Sequence, residues 1–235
     1  MLLHHKFILS AKKNPGKNAI VDKTTNKTVT YQKALIASLI LAARFKKFEG
    51  EFIGIMLPTS AGAALATAAC LMGGKIPVMI NYSTGALENA LYAKKKCSFG
   101  TIVTSSALLE KINCPKIEGM VFLEETMNQI TAAEKIKAAI KSKLPAKTLI
   151  KMVGGISDHE TAAILFTSGS EKEPKAVQLS HKNISSNIEN FGNYVKITES
   201  DSILANLVFF HVFGLTVNLW VSLYYGMTMI TYANP

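Results

Sequence analysis

The stretch EFIGIMLPTSAGAALATAACLMGGKIPVMIN, residues 51–81, decides the fold. It begins with the strand-length apolar run EFIGIML and ends with a second such run, KIPVMIN. Between them lies a segment of small residues with the length of a helix, with Ser60 available as its cap and Gly73 at its end. Two strands joined by a helix are typical of a parallel β-α-β unit, because parallel strands need a long crossover connection. The stretch therefore predicts such a unit.

The same alternation of strand and helix lengths continues on both sides of this stretch. Apolar runs predict further strands at GTIVTS (100–105), at GMVFLEE (119–125) and at Ala162–Phe166. A helix is predicted for TGALENALYAKKK, with Ser83 as its cap, and another helix is predicted before Pro145. We therefore expect an α/β fold with a doubly wound, mostly parallel sheet and flanking helices.

The composition indicates a globular protein with an anionic partner. Of the 235 residues, 49% are hydrophobic, which is enough for a core, and the formal net charge is +10. Aromatic residues do not alternate with basic ones, and no nucleic-acid-binding motif occurs, so we expect no nucleic acid partner. The three cysteines lack CxxC spacing, and the N-terminus lacks the apolar core of a signal peptide, so a cytoplasmic location is predicted.

One apolar segment raises the alternative of a small membrane protein. Residues 202–235 contain no Asp, Glu, Lys or Arg, as a membrane-spanning helix would. However, Gly214 and Gly226 divide the segment into lengths that fit a strand, a helix and a strand, and Asn206 and Asn218 lie inside it. We favour a buried β-α-β unit and keep the membrane span as the alternative.

The segment TSGSEKEPKA, Thr167–Ala176, directly follows a predicted strand and is rich in groups that bind anions. It offers side-chain hydroxyls, the open backbone of a glycine and a lysine, which together can surround phosphate oxygens: Thr167, Ser168, Gly169, Ser170 and Lys175. It is not a Walker P-loop, because Pro174 precedes the lysine and Ala176 follows it. A solvated turn between a strand and a helix is the alternative.

This segment resembles the phosphate-binding loop of the adenylate-forming superfamily. A second segment, NLVFFHVFG (206–214), is similar to the PLFHxxG motif of the same superfamily. Two motifs at the expected separation are more specific than either one. Within the superfamily, the chain is most similar to bacterial acyl-acyl carrier protein synthetases, including the ligase half of the bifunctional 2-acylglycerophosphoethanolamine acyltransferases.

The resemblance implies that residues 1–235 are part of the large N-terminal AMP-binding domain of an adenylate-forming enzyme, with the C-terminal part of the enzyme missing. The implied function is that of the N-terminal part of an ATP-dependent fatty acyl ligase. Such an enzyme joins a fatty acid to AMP and then transfers the acyl group to the thiol of acyl carrier protein or coenzyme A. ATP and Mg²⁺ are the implied cofactors. The magnesium ligand is expected downstream, so no metal ligand is assigned in this chain.

The resemblance also implies roles for individual residues. Cofactor binding is assigned to the loop residues Thr167, Ser168, Gly169, Ser170, Glu171 and Lys175. Catalytic roles are assigned to Lys175 and His211, and substrate binding to Phe210, His211 and Gly214. A satisfied position in the core remains the alternative for His211.

Three positions depart from the family pattern. Lys172 and Ala176 replace glycines, and Val208 stands where proline is usual. If the backbone at Lys172 has a positive φ, the lysine lowers stability by on the order of 1 kcal/mol relative to glycine. The downstream segments Y-G-x-T-E and Y-x-T-G-D of the family are also absent from the sequence. A non-catalytic nucleotide- or acyl-binding remnant is therefore a further alternative to the ligase.

The segment EKIKAAIKSKLPAKTLIK, residues 134–151, combines six lysines with an apolar stripe. Its apolar residues Ile136, Ile140 and Leu144 recur every four positions, which predicts a helix. Two interpretations are open: a solvated helix whose stripe packs on the sheet, or a docking surface for an acidic carrier protein or an anionic membrane. Farther along the chain, His181 and Lys182 are expected on a solvated helix face.

Overall fold

The computed structural model describes residues 1–154, 157–167 and 173–233. Its strands are β1 (Asn18–Asp22), β2 (Lys27–Thr30), β3 (Phe52–Ile55), β4 (Ile76–Met79), β5 (Ile102–Thr104), β6 (Met120–Phe122), β7 (Thr161–Thr167), β8 (Lys175–Ser180), β9 (Ser202–Ala205) and β10 (Thr228–Thr231). Its α-helices are α1 (Leu3–Lys13), α2 (Tyr31–Phe45), α3 (Ala61–Met72), α4 (Ala86–Cys97), α5 (Ser106–Lys111), α6 (Leu123–Asn128), α7 (Ala132–Lys143), α8 (Ala146–Met152), α9 (His181–Val195) and α10 (Ser222–Tyr225). A π-helical segment, Gly214–Val221, runs directly into α10.

The larger sheet has the strand order β6-β5-β3-β4-β7-β8. β8 is antiparallel to β7, and the other neighbouring strands are parallel. Residues 51–81 form β3, α3 and β4 in its centre, with Gly54 paired to Val78. The Ser60 hydroxyl accepts a hydrogen bond from the Ala63 N–H at 3.2 Å, as expected of a helix cap. The β-α-β prediction for this stretch is confirmed.

The smaller sheet has the strand order β2-β1-β10-β9. β9 and β10 are parallel, and the π-helical segment and α10 join them. Leu219 and Trp220 of the π-helical segment are fully buried. In the part of the chain that the structure describes, no helix is long and apolar enough to cross a membrane. The apolar C-terminal segment therefore forms the predicted strand, helix and strand. The predicted α/β class with mostly parallel strands and flanking helices is confirmed, and the strands are divided between two sheets.

Tyr31 joins the N-terminal helices to this C-terminal unit. Its side chain is fully buried, and its Oη atom lies 3.0 Å from the carbonyl oxygen of Ser222 and 2.7 Å from that of Met227. Burial raises the pKa of the hydroxyl, which keeps it protonated as a donor. The end of the helix that begins at Gly214 is thereby fixed against α2.

The strand β8 was not expected from the sequence, which predicts only a turn before the next helix. Residues 175–180 pair along β7, with Lys175 opposite Thr167. The strand lies at the edge of the sheet, and none of its residues is fully buried, so it lacks the apolar run that identifies the central strands. Helix α9 begins after it, where the Ser180 hydroxyl caps the helix by accepting a hydrogen bond from the Asn183 N–H at 3.1 Å.

The start of α4 also differs from the prediction. The helix begins at Ala86 after Gly85, whose φ is 59°, so the prediction that Ser83 caps it is wrong. Both the N–H and the hydroxyl of Ser83 lie 2.8 Å from the Oδ1 atom of Asn81, to which they donate. An asparagine that bonds the backbone two residues ahead forms a local turn, and this turn takes Ser83 away from the helix end.

Of the two interpretations of α7, the one in which its apolar stripe packs on the sheet is wrong, and so is the solvated position predicted for His181. Ile136 and Ile140 are 61% and 62% exposed, so this stripe does not pack on the sheet. Helix α7 instead lies against α2 with Ala138 buried. His181 is also buried, where a solvated position was expected, because its Nδ1 atom accepts a hydrogen bond from the Leu3 N–H at 3.2 Å.

Candidate functional site

A cavity of about 460 Å³ opens at the carboxyl ends of β4 and β7. This is the edge of a parallel sheet at which α/β proteins bind ligands. Its walls come from the end of β4, helix α4, the end of β7, the beginning of β8 and the segment before the π-helix. The lining residues are Met79, Ile80, Asn81, Thr84, Asn89, Tyr92, Leu165, Phe166, Thr167, Pro174, Phe210, His211 and Val212.

The cavity brings the two sequence motifs together. Thr167 and Pro174 belong to the first motif, and Phe210 and His211 belong to the second. Lys175 directly follows Pro174, is exposed, and is the residue opposite Thr167 in the pairing of β7 with β8. The ends of the first motif therefore lie at the same cavity as the aromatic part of the second.

The centre of the first motif lies outside the described residues. Ser168, Gly169, Ser170 and Glu171, which the resemblance assigns to cofactor binding, belong to this part, as does Lys172. Their roles stay predictions. The described flanks establish that this part of the chain connects two paired strands, where a connection from strand to helix was expected.

Tyr92 fixes the beginning of β8 at the edge of the cavity. Its hydroxyl donates a hydrogen bond to the carbonyl oxygen of Pro174 at 2.7 Å. Its ring meets that of Phe166 edge to face, with 5.9 Å between the ring centroids. Tyr92 therefore positions the residue that precedes Lys175. Sequence reasoning did not identify Tyr92, because nothing in α4 indicates a contact with a segment 82 residues away.

His211 is exposed at the cavity, so the alternative of a satisfied core histidine is wrong. The preceding Phe210 is 5% exposed and carries the imidazole beside it, with 4.8 Å between the two ring centroids. Tyr82 meets the Phe210 ring edge to face at 4.9 Å on another side. A buried aromatic pair thus supports an imidazole that faces the open space.

Polar side chains hold the backbone of the second motif through hydrogen bonds to a carbonyl oxygen. The carbonyl oxygen of Leu207 accepts a hydrogen bond from Asn218 Nδ2 at 3.2 Å, and the Thr59 hydroxyl lies 3.4 Å from the same oxygen. Gly214 is required because a Cβ atom there would lie 2.1 Å from the carbonyl oxygen of Val208. Gly214 therefore allows the close backbone approach that shapes this segment. Phe210 and His211 line the cavity, and Gly214 is not among the described lining residues.

The cavity wall is apolar and aromatic, with a few neutral polar groups. Among its described lining residues, none is Asp, Glu, Lys or Arg. The amide of Asn89 holds the rim, because its Nδ2 atom donates to the carbonyl oxygens of Thr84 at 2.7 Å and Asn81 at 3.1 Å. Such a wall accepts a flat or hydrocarbon group, and it places no carboxylate against a bound phosphate.

The described residues contain no cluster of three metal-ligating side chains. Within residues 1–154, 157–167 and 173–233, no three His, Cys, Asp or Glu side chains come together in a way that would hold a metal ion.

Comparisons with known proteins agree with the fold. A model of the family described as AMP-binding enzyme matches residues 7–235. The 2-succinylbenzoate–CoA ligase of Bacillus subtilis (strain 168) is 27% identical over 208 residues, a match that covers 87% of this chain and 39% of the relative. The long-chain-fatty-acid–CoA ligase of the same organism is 25% identical over 252 residues, covering 94% of this chain and 44% of the relative. The chain thus spans less than half the length of these relatives.

A solved structure gives the same result at the level of the fold. It is the Bacillus subtilis o-succinylbenzoate coenzyme A synthetase in complex with ATP and magnesium ion, which matches with a TM-score of 0.77 and 23% sequence identity. The match covers 98% of this chain and 57% of that chain.

Proposed function

The chain belongs to the AMP-binding enzyme family, and we propose that it forms the N-terminal part of an ATP-dependent fatty acyl ligase. In the proposed reaction, a carboxylate oxygen of the fatty acid attacks the α-phosphorus of ATP, and pyrophosphate leaves with the electron pair of the broken P–O bond. The thiol of coenzyme A or of acyl carrier protein then attacks the acyl carbon, and AMP leaves. The observation that carries the proposal is the common cavity of the two motifs.

The proposed roles follow the positions of the residues. Thr167 ends β7 at the cavity, so its hydroxyl, the hydroxyls of Ser168 and Ser170 and the backbone opened by Gly169 are assigned to the phosphates. Glu171 is carried over with the loop by the resemblance, without a direct contact between its carboxylate and the phosphates. Lys175 is assigned to the negative charge that develops on the phosphate oxygens during the reaction. These groups bind and orient the polyphosphate, and their hydrogen bonds strengthen as charge moves to pyrophosphate.

His211 and Phe210 are assigned to the wall between the adenylate and the acyl group. The imidazole is exposed at the cavity and supported by the buried Phe210 ring, so it can contact a ligand without moving. Magnesium, when bound, would neutralise phosphate charge, and we assign its ligands to segments of the enzyme beyond this sequence. Residues 1–235 are accordingly proposed to be a partial AMP-binding domain.

An apolar acid is favoured over an acid with a second charge. The cavity wall includes Met79, Ile80, Leu165 and Val212, and no lysine or arginine is among its described lining residues. A second carboxylate on the substrate would be buried there without a cation, which is costly. The apolar wall therefore supports a fatty acid as the proposed substrate. The thiol acceptor and a cytoplasmic location are proposed from the resemblance and the composition.

Binding of ATP to the purified chain tests the proposal. We expect weak, saturable binding of ATP and pyrophosphate that is lowered at least about tenfold in Lys175→Ala, because a charge-assisted contact contributes about 1.5–3 kcal/mol. Lys182→Ala is the matched control, since Lys182 is an exposed lysine on the neighbouring helix α9. Equal titration curves for wild type and Lys175→Ala, or an equal loss in both variants, would overturn the assignment.

A further inference from the structure

Helix α7 exposes a surface that combines apolar and basic residues. We call it the α7 outer face and define it as Lys135, Ile136, Lys137, Ile140 and Lys143. Ile136 and Ile140 are 61% and 62% exposed, and the three lysines are exposed as well. Two large neighbouring apolar side chains, one helical turn apart, are thus presented to solvent inside a group of cations.

The opposite side of α7 holds the helix in this orientation. Ala138 and Ser142 are buried, and with 3.6 residues per turn they lie opposite Ile136 and Ile140. The carbonyl oxygen of Ser142 accepts a hydrogen bond from Lys12 Nζ at 2.8 Å. Because the buried side consists of small residues, α7 lies close to the body of the protein, and the isoleucines cannot turn inward without losing this packing.

An ion pair fixes the beginning of the same helix. The guanidinium of Arg44 donates to both carboxylate oxygens of Glu134, at 2.9 Å each, and also to the carbonyl oxygens of Thr126 at 2.9 Å and Gln129 at 2.6 Å. Hydrogen bonds from Arg44 lower the pKa of Glu134 to about 2, so this carboxylate stays ionised and paired. The α7 outer face is therefore presented by a firmly held helix.

The charge of this region is almost entirely positive. Between residues 131 and 151, Glu134 is the only acidic residue, and Arg44 neutralises it. The six lysines of this stretch continue past α7 onto α8, where Met152 is 52% exposed beside the exposed Lys151. An anionic surface that also accepts apolar side chains is complementary to this arrangement.

We propose that the α7 outer face binds the surface of an anionic lipid bilayer. The lysines contact the negatively charged headgroups, each contributing a roughly fivefold increase in affinity, and Ile136 and Ile140 enter the boundary between headgroups and acyl chains. A helix of 12 residues, about 18 Å long, lies flat on such a surface with its buried side still against α2. The proposal does not depend on the ligase function.

A bilayer is favoured over an acidic protein because Ile136 and Ile140 are exposed on the convex outer surface of a helix. A protein partner would need a matching apolar pocket surrounded by acidic residues, whereas a fluid lipid surface needs no shaped counterpart. Binding through so small an apolar area and a few charges is reversible and depends on salt. The Debye length falls from about 30 Å at 0.01 M salt to about 3 Å at 1 M.

Cosedimentation with lipid vesicles tests the proposal. The probes are vesicles of phosphatidylcholine mixed with phosphatidylglycerol and vesicles of phosphatidylcholine alone, at low and high salt. We expect binding to the anionic vesicles only, weakened by salt. Reversal of charge at Lys135, Lys137 and Lys143 to Glu is expected to lower the affinity at least about a hundredfold, because each lysine contributes roughly fivefold. The pair Ile136→Ser with Ile140→Ser is expected to lower it at least about fivefold.

The matched control changes three exposed lysines on another surface to Glu: Lys23, Lys27 and Lys33, on the β1–β2 connection, β2 and the first turn of α2. This variant alters net charge by the same amount and is expected to keep most of the binding. An equal loss in both charge variants would indicate a general charge effect and would overturn the proposal. Equal binding by wild type and both α7 variants, with the same circular dichroism spectrum, would also overturn it, as would binding to acyl carrier protein but not to anionic vesicles.

Discussion

Replacing Gly214 with alanine tests how the segment that carries His211 is held. A Cβ atom at this position would lie 2.1 Å from the carbonyl oxygen of Val208 and 3.0 Å from that of Leu207, and backbone atoms cannot rotate away. Overpacking costs about 1–3 kcal/mol, and a contact this short places the variant near the upper value. Because 1 kcal/mol corresponds to about 2–4 °C for a chain of this size, we expect the melting temperature to fall by roughly 6–12 °C.

The control for this variant is Gly16→Ala. No atom lies within 4 Å of a Cβ built on Gly16, and its backbone is not in the left-handed region. Its melting temperature should stay within about 3 °C of wild type, or rise slightly because alanine restricts the unfolded chain. Thermal unfolding followed by circular dichroism measures both variants. A Gly214→Ala protein that melts like Gly16→Ala would refute the reasoning about the Val208 contact.

Three further predictions concern pH, the cavity and catalysis. Burial lowers the pKa of His181 from 6.5 to about 4, so below pH 6.5 the unfolded chain takes up a proton that the folded chain does not. Through His181, stability should fall by up to about 1.4 kcal/mol per pH unit between these values, so the fall should be less steep in His181→Gln. Parallel stability curves for His181→Gln and wild type would contradict this. Tyr92→Phe should weaken ATP binding about fivefold, because it removes the 2.7 Å hydrogen bond to the Pro174 carbonyl oxygen. Tyr194→Phe is the control, since Tyr194 is 89% exposed, and it should bind ATP like wild type. If both variants bind like wild type, Tyr92 does not position the cavity for the nucleotide. The chain alone should show no fatty-acid-dependent pyrophosphate release, and release that Lys175→Ala abolishes would mean that the active site is complete within it.

Much of the fold could be predicted because its central elements carry strong local signals. β3, α3 and β4 combine apolar runs with a serine cap and a glycine end, and each signal agrees with the others. β8 carried no such signal, because an edge strand with exposed residues looks like a loop. The orientation of α7 could not be predicted either. Helical spacing shows that Ile136 and Ile140 share a face, but only packing reveals that the small residues on the other side lie against the protein.

The candidate site was predictable where a motif carried it. His211 and Phe210 were identified from the resemblance, and the structure places them at one cavity with Thr167. Tyr92 and Asn218 were not identified, because their roles are hydrogen bonds to backbone carbonyls of distant segments. A backbone acceptor leaves no trace in the identity of the residue that bears it, so such contacts are visible only in three dimensions.

The most direct test of the central claim is photo-crosslinking of the chain with azido-ATP, followed by identification of the labelled peptides. The claim is that nucleotide binds at the cavity shared by the two motifs. We expect the label in residues 162–175 or 207–213, with protection by excess ATP and with reduced labelling in Lys175→Ala. Label confined to the lysine-rich residues 131–151, or labelling that excess ATP does not prevent, would contradict the account.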